Sequence, residues 1–133
     1  MSLRRVAAGP MLSSHNNTIA MYGQFTGANG SVGTIQFKGN ATITYNAEGD
    51  YTLTVLADDG VSARKGLHIK HFHVFAINPT VTDGLGNGGY RITADSINSA
   101  GTVRFVTYNN AATAADVIAI CKVVLILSTE AAS

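Results

Sequence analysis

Three of the chain's four histidines lie within six residues, in the stretch His68-Ile-Lys-His-Phe-His73. Histidine is the commonest metal ligand in proteins, and clustered histidines can hold a zinc ion. On a β-strand, His71 and His73 would point to one face, whereas His68 would point to the other. The chemistry that this stretch could support is therefore metal binding, provided that it is a strand and that further ligands approach it.

A catalytic metal would need a third protein ligand, an open coordination position and a nearby acid or base. The sequence does not position Asp83 or Asp95 relative to the histidine pair. We therefore expect no catalytic metal and no cofactor. The alternative is a symmetric trimer in which copies of His71 or of His73 surround the axis and hold an ion, and such an ion would be structural.

Other motifs that could support catalysis are weak. The pattern Gly84-x-Gly-x-Gly-Gly89 resembles a phosphate-binding loop, but it precedes a strand-like segment instead of a helix and is interpreted as a hairpin loop. Cys121 is the only cysteine and lies in an apolar run, where a buried and inert thiol is expected. Glu48 and Glu130 are the only glutamates, and no paired carboxylates form a recognisable frame. These observations predict that the protein is not an enzyme.

The elements that must position these residues are predicted to be β-strands. Apolar residues alternate with threonine or other polar residues along most of the chain, a pattern typical of half-buried antiparallel strands. Glycine, asparagine and aspartate cluster between these runs as turn signals. Short strands repeated about every 8–12 residues predict an all-β, single-domain antiparallel β-sandwich or jelly roll of about eight strands. We assign this domain to residues 18–133 and an N-terminal arm to residues 1–17.

The same alternation predicts the core. Seven residues are expected to face inward: Leu53, Val55, Ile92, Val103, Phe105, Val123 and Leu125. The segment from Ala111 to Ile120 could be read as a helix, but its continuation is rich in valine and isoleucine. A long buried strand is therefore predicted for that continuation, Val117 to Leu127.

Composition limits the partners. Of the 133 residues, 46% are hydrophobic and only 13% are charged, and the net charge is +1. An average soluble domain has about 25% charged residues, and a net charge near zero favours association. Nine Lys and Arg are scattered among eight acidic residues, so no basic stripe for nucleic acid is predicted. The longest apolar run, from Val117 to Leu127, is about half the length of a membrane-spanning helix and contains Lys122, so no membrane partner is expected.

The order of several segments resembles that of a known class of proteins. The segments are ATITYN, EGDYTLTV, ITADSINSAGTVRFVTYN, a TAADV turn and a terminal hydrophobic strand, spanning roughly Ser31 to Ser128. This layout resembles the small β-sandwich domains of tailed-bacteriophage virions, which serve as capsid decoration (cement) proteins and as domains of fibres and spikes. The resemblance implies a homotrimer without catalytic residues and a position on the outer surface of the capsid.

Three functions compete at this point. The first is a capsid decoration protein that stabilises the phage head by bridging copies of the major capsid protein. The second is a receptor-binding or fibre-tip domain of a phage virion, and the third is a metal-binding jelly-roll enzyme built on the histidine cluster. We favour the first, and expect Arg4 and Arg5 in the arm to contact the coat or a neighbouring subunit.

Overall fold

A computed structural model of the chain describes residues 11–12, 18–37 and 40–130. Within these ranges it contains nine strands and one short helix. The elements are β1 (Met11–Leu12), β2 (Thr18–Ala28), β3 (Ser31–Phe37), β4 (Ala41–Ala47), β5 (Asp50–Val55), β6 (His68–Ala76), β7 (Tyr90–Ser96), α1 (Ile97–Ala100), β8 (Thr102–Thr107) and β9 (Ile120–Ser128). The all-β prediction is confirmed.

The strands form two sheets that enclose one core. The five-stranded sheet has the order β1-β2-β9-β6, and β3 also pairs with β2. The four-stranded sheet has the order β4-β5-β8-β7. Every strand pair in both sheets is antiparallel. Buried apolar side chains from both sheets belong to a single cluster, so the described domain is the antiparallel β-sandwich that the alternation predicted.

Aromatic side chains fill the middle of this core. Tyr51 on β5 stacks on Phe105 of β8, with ring centroids 5.6 Å apart, and also contacts Phe25 of β2 at 5.5 Å. Phe72 on β6 reaches Phe105 from the other sheet at 5.3 Å. Six of the seven residues predicted to face inward are buried: Leu53, Val55, Val103, Phe105, Val123 and Leu125.

The prediction for the seventh, Ile92, is wrong. Ile92 pairs with Phe105 and so shares its face of the sheet, yet it is 36% exposed. Two features of β7 explain this. The strand is at the edge of the four-stranded sheet, so it has a neighbour on one side only, and its register shifts between Ile92 and Ala94. A bulge bends the strand that contains it, and an edge strand has fewer neighbours to cover its side chains.

The apolar run near the C-terminus forms a strand only from Ile120 onward, and residues 117–119 before it are irregular. No helix occurs between Ala111 and Ile120, which confirms the choice made from the sequence. β9 lies in the centre of its sheet, between β2 and β6. Its alternate residues Cys121, Val123, Leu125 and Leu127 are buried in the core. The prediction of a long buried strand is therefore correct for one face of β9.

One buried carboxylate joins three parts of the chain at one end of the sandwich. Asp116, in the segment before β9, accepts hydrogen bonds from the backbone N–H groups of Gly30 at 2.8 Å and Gly49 at 2.7 Å. It also accepts one from the hydroxyl of Tyr45 at 3.2 Å. Gly30 and Gly49 lie in the β2–β3 and β4–β5 turns with φ of +78° and +71°, a backbone conformation that glycine adopts without strain. Asp116 therefore holds both turns against the segment that leads into β9.

An ion pair on the solvent side of the four-stranded sheet gives a test of local electrostatics. Arg104 donates two hydrogen bonds to Asp50, at 2.8 and 2.6 Å, and these bonds lower the pKa of that carboxyl. We expect Arg104→Gln to move the pKa of Asp50 upward, because the carboxylate loses its charged donor. The lowered pKa means that Asp50 stabilises the fold at neutral pH and loses this contribution as pH falls through its folded-state pKa.

Carboxyl NMR titration of both proteins measures this shift directly. Asp59 is the internal control, since its pKa is lowered by hydrogen bonds within its own turn, from Val61 and Ser62. Its titration should be the same in both proteins. An unchanged Asp50 titration in Arg104→Gln would contradict the role given to the ion pair.

Candidate docking face

The side of the five-stranded sheet that points away from the core is the candidate site, and we call it the outer face. Along β9 the residues between the buried ones point to this side. In antiparallel strands, residues directly opposite each other share a face. The pairing register therefore gives the members of the outer face on the three adjacent strands: Tyr22 and Gln24 on β2, Lys122, Val124 and Ile126 on β9, and His71, His73 and Phe75 on β6.

The outer face is unusually apolar for a surface. Tyr22 is 43% exposed, Phe75 and Ile77 are each 42% exposed, and Ile120 is 40% exposed. Isolated apolar residues are common on protein surfaces, but a contiguous exposed group marks an interaction site more often than chance. These four side chains come from three neighbouring stretches of one sheet. Their clustering makes the outer face the strongest candidate for a functional surface among the described residues.

A groove runs across this face. Its volume is about 660 Å³, and its lining residues are Tyr22, Gly23, Gln24, Gln36, Phe37, Phe75, Ile77, Lys122, Val123 and Val124. Lys122 is the one charged residue in this lining, and its Nζ donates a hydrogen bond to Oε1 of Gln24, directly across the strand pair. Gly23 leaves room for the ring of Phe37, because a Cβ there would lie 2.1 Å from that ring.

Charge on this sheet has one sign. The sequences of its five strands contain Lys70 and Lys122 but no aspartate or glutamate. The four-stranded sheet differs, since it contains Asp50 and Asp95. The outer face therefore combines apolar side chains with a few cationic or protonatable groups.

The histidine cluster lies at the margin of this face. His71 and His73 are exposed and pair with Ile126 and Val124, so they share a face as predicted. The prediction that His68 points to the opposite face is wrong. The register shifts between Ile69 and His71, and this one-residue irregularity at Lys70 places His68 opposite Ser128, on the same side of β9 as the other two.

The surroundings of the histidines are those of a strand edge. Nδ1 of His73 lies 3.4 Å from the hydroxyl of Tyr90, which donates a hydrogen bond to the carbonyl oxygen of Phe72 at 2.6 Å. Nε2 of His68 lies 3.3 Å from Nδ2 of Asn98. In the part of the chain that the structure describes, no three His, Cys, Asp or Glu residues are grouped so that they could hold a metal ion. That His71 and His73 hold no catalytic metal stays a prediction.

Other residues named from the sequence can now be placed. Cys121 is buried beneath the sheet, and burial raises the pKa of its thiol to about 12, so it stays a protonated, weakly nucleophilic thiol. Arg4 and Arg5 lie outside the described residues, as does most of the predicted arm of residues 1–17. The two described residues of that segment form β1, which pairs with Ile19 and Ala20 of β2.

Sequence reasoning missed Tyr22, Phe75, Ile77 and Ile120 as functional candidates. The sequence of β9 could have indicated an apolar surface. In the run Ile120–Ser128, the residues on both faces of the strand are apolar, apart from Lys122 and the final serine. A strand that is apolar on both faces is usually packed against other elements on both faces. In this sandwich the core covers only one of them.

Comparison of the chain with models of protein families, with curated proteins and with solved structures finds no match. Within residues 11–12, 18–37 and 40–130, no helix has the length and apolar character needed to cross a membrane. The outer face is therefore the feature of the described residues that points to a function.

Proposed function

We propose that this protein is a structural component of a tailed-bacteriophage virion, a capsid decoration protein that docks through its outer face and bridges copies of the major capsid protein. The observation that carries the proposal is the exposed apolar outer face of the two-layered sandwich. The order of strand segments from Ser31 to Ser128, which resembles that of virion β-sandwich domains, supports the choice of a viral shell.

The energetics of the face suit a protein that binds in many copies. Burial of apolar surface contributes about 25 cal/mol for each Å² removed from water. Tyr22, Phe75, Ile77 and Ile120 all have area left to bury, and few charges would have to be desolvated with them. A single copy would bind with modest affinity, but copies linked in a homotrimer would gain from multivalent attachment. This combination fits a protein that stabilises a shell from its outer surface.

A second candidate function is favoured by the groove. Ligand-binding clefts have volumes of about 300–1,000 Å³ and combine aromatic walls with a few polar groups. The groove has a volume of about 660 Å³ and contains Gln24, Gln36 and Lys122 beside its aromatic residues. A receptor-binding domain at a fibre tip would use it to hold a host-surface molecule.

A charge placed in the outer face should abolish attachment to particles. We expect Phe75→Glu to reduce binding of the purified protein to decoration-free capsids at least tenfold, because the new carboxylate would have to be desolvated in an apolar interface. The measurements are co-sedimentation with capsids and the temperature at which the decorated capsids rupture. Wild-type protein should raise that temperature, and Phe75→Glu should leave it at the value of undecorated capsids.

Val61→Glu is the matched control, since Val61 is 81% exposed and lies in the loop between β5 and β6. It should bind like the wild type, and thermal unfolding should show that both variants are folded. If Phe75→Glu and wild type bind capsids equally, the outer face is not the docking surface. If the wild type binds no capsid but binds host cells, the fibre-tip function replaces the proposed one.

A further inference from the structure

The chemistry of the partner can be inferred from the charges on the outer face, an inference that rests on the proposed use of this face for docking. We propose that the partner is a protein surface that presents carboxylates among apolar side chains. Lys122 would pair with one of these carboxylates at the centre of the face. His71 and His73 would meet others along its margin.

The first support is the position of Lys122. Its neighbours across the two strand pairs are Gln24 on β2 and Phe75 on β6. Gln24 accepts a hydrogen bond from its ammonium group, but no carboxylate does so among the described residues. An ammonium group that enters an interface needs an anionic or strongly accepting partner, because an uncompensated buried charge is costly. The docking partner must therefore supply that group.

The second support is the row of protonatable groups beside Lys122. His73 pairs with Val124, which makes it a diagonal neighbour of Lys122, and His71 follows along the same strand. Lys70 at the register shift is exposed as well. These side chains, two lysines and two histidines, form a strip along β6 and β9 next to the apolar groove.

Among the residues that the structure describes, no carboxylate forms an ion pair with Lys70, His71, His73 or Lys122. Of the titratable and charged groups on the elements packed against β6, β9 contributes Cys121 and Lys122, and β7 contributes Tyr90, Arg91 and Asp95. The carboxylates of this region lie at the His68 end of the strand: Asp95 lines a recess together with His68, and Glu130 follows the end of β9.

The same charges argue against other occupants. Two copies that met face to face through a twofold axis would bring their Lys122 residues together, and like charges disfavour such contact. Nucleic acid would require many basic residues in a stripe, whereas this groove has one lysine in its lining. A flat lipid surface would not fill a concave groove. An acidic and partly apolar protein surface satisfies both the shape and the charge.

The affinity for a partner that carries carboxylates should depend on pH. Histidine is the side chain that gains charge between about pH 8 and pH 5, whereas carboxylates keep their charge down to about pH 4. A partner that carries carboxylates should therefore bind more tightly as pH falls from about 7.5 to about 6, because histidine side chains lie on the strip that it would contact. Binding should weaken again at lower pH, when the partner's carboxylates are protonated.

The test uses the full chain and two short, capped synthetic peptides, one alternating Glu with Phe and the other alternating Lys with Phe. Amide NMR spectra recorded during each titration give the affinity and the location of binding. We expect the Glu–Phe peptide to bind at least about tenfold more tightly than the Lys–Phe peptide. Shifts should be confined to β2, β9 and β6, and affinity should rise about threefold or more between pH 7.5 and 6.

Variants assign the effect to individual groups. Lys122→Gln should lower affinity for the Glu–Phe peptide at both pH values, and Lys65→Gln, an exposed lysine in the loop before β6, should leave it unchanged. The double change His71→Gln and His73→Gln should leave binding at pH 7.5 intact and remove its increase at pH 6. A purely structural role of these histidines would not produce that difference.

Several results would overturn the inference. These are equal binding of the two peptides, shifts on the four-stranded sheet, affinity that does not depend on pH, or tighter binding to vesicles of phosphatidylserine than to the Glu–Phe peptide. The outcome is separable from that of the proposed function. Peptide selectivity without capsid binding would refute the shell function and keep the inference, whereas capsid binding without peptide selectivity would refute the inference alone.

Discussion

Replacement of Phe105 by alanine should lower the free energy of unfolding by about 3–5 kcal/mol, the usual cost of truncating a fully buried phenylalanine. Phe105 has no exposed surface, and its ring contacts Tyr51 from its own sheet and Phe72 from the other. The change would therefore open a cavity between the two sheets and remove contacts on both sides of it. Urea denaturation followed by circular dichroism measures the loss.

Ile92→Ala is the matched control, because Ile92 is the cross-strand partner of Phe105 but lies on an edge strand and is 36% exposed. Its truncation should cost well below the value for Phe105, about 1 kcal/mol or less. A loss under about 1 kcal/mol for Phe105→Ala, or similar losses for both variants, would show that the strand register described for β8 is incorrect.

Asp116→Ala should be the second severe substitution, with an expected loss of about 2–5 kcal/mol. Asp116 is buried and accepts hydrogen bonds from Gly30, Gly49 and Tyr45. Gly49 is a buried donor, and a buried donor that loses its acceptor costs about 1–3 kcal/mol. The bonds from Gly30 and Tyr45 are only partly buried, so water can replace the lost acceptor there at a smaller cost. Amide hydrogen exchange should also become faster in the β2–β3 and β4–β5 turns, which Asp116 joins.

Asp59→Ala separates this effect from the general loss of an aspartate. Asp59 also accepts three hydrogen bonds, from Val61 and Ser62, but they lie within one exposed turn. Its substitution should leave global stability almost unchanged and affect exchange in that turn only. If Asp116→Ala unfolds at the same urea concentration as the wild type, the carboxylate does not hold the turns together.

These two substitutions also bear on the docking proposals. Asp116 contacts the ends of strands, and Phe105 lies between the sheets, so neither forms part of the outer face. Both would nevertheless weaken docking in proportion to the loss of folded protein. Phe75→Glu should weaken docking with the fold intact, because Phe75 lies on the surface of an edge strand. Comparison of Phe75→Glu with the two destabilising variants therefore separates a change in the outer face from a loss of folded protein.

Much of the candidate site could not have been predicted from the sequence. The alternation placed His71 and His73 on one side of a strand, and the structure agrees. It could not show that Tyr22, Phe75 and Lys122 are neighbours, because they lie on three strands that are far apart in sequence. They become neighbours only because β2 and β6 pair with the two edges of β9.

What the sequence determined by itself is the strand periodicity, and with it the all-β class and most of the core. Leu53, Val103 and Phe105 are buried because a period of two leaves one apolar side on each strand, whatever the order of the strands. The tertiary structure decided the rest. It placed β7 at an edge and so exposed Ile92, and it shifted the register at Lys70 and so turned His68. Among the described residues, it also left the outer side of β9 without a second layer. These outcomes depend on which strands are neighbours and where a ladder is interrupted, and local alternation contains no information about either.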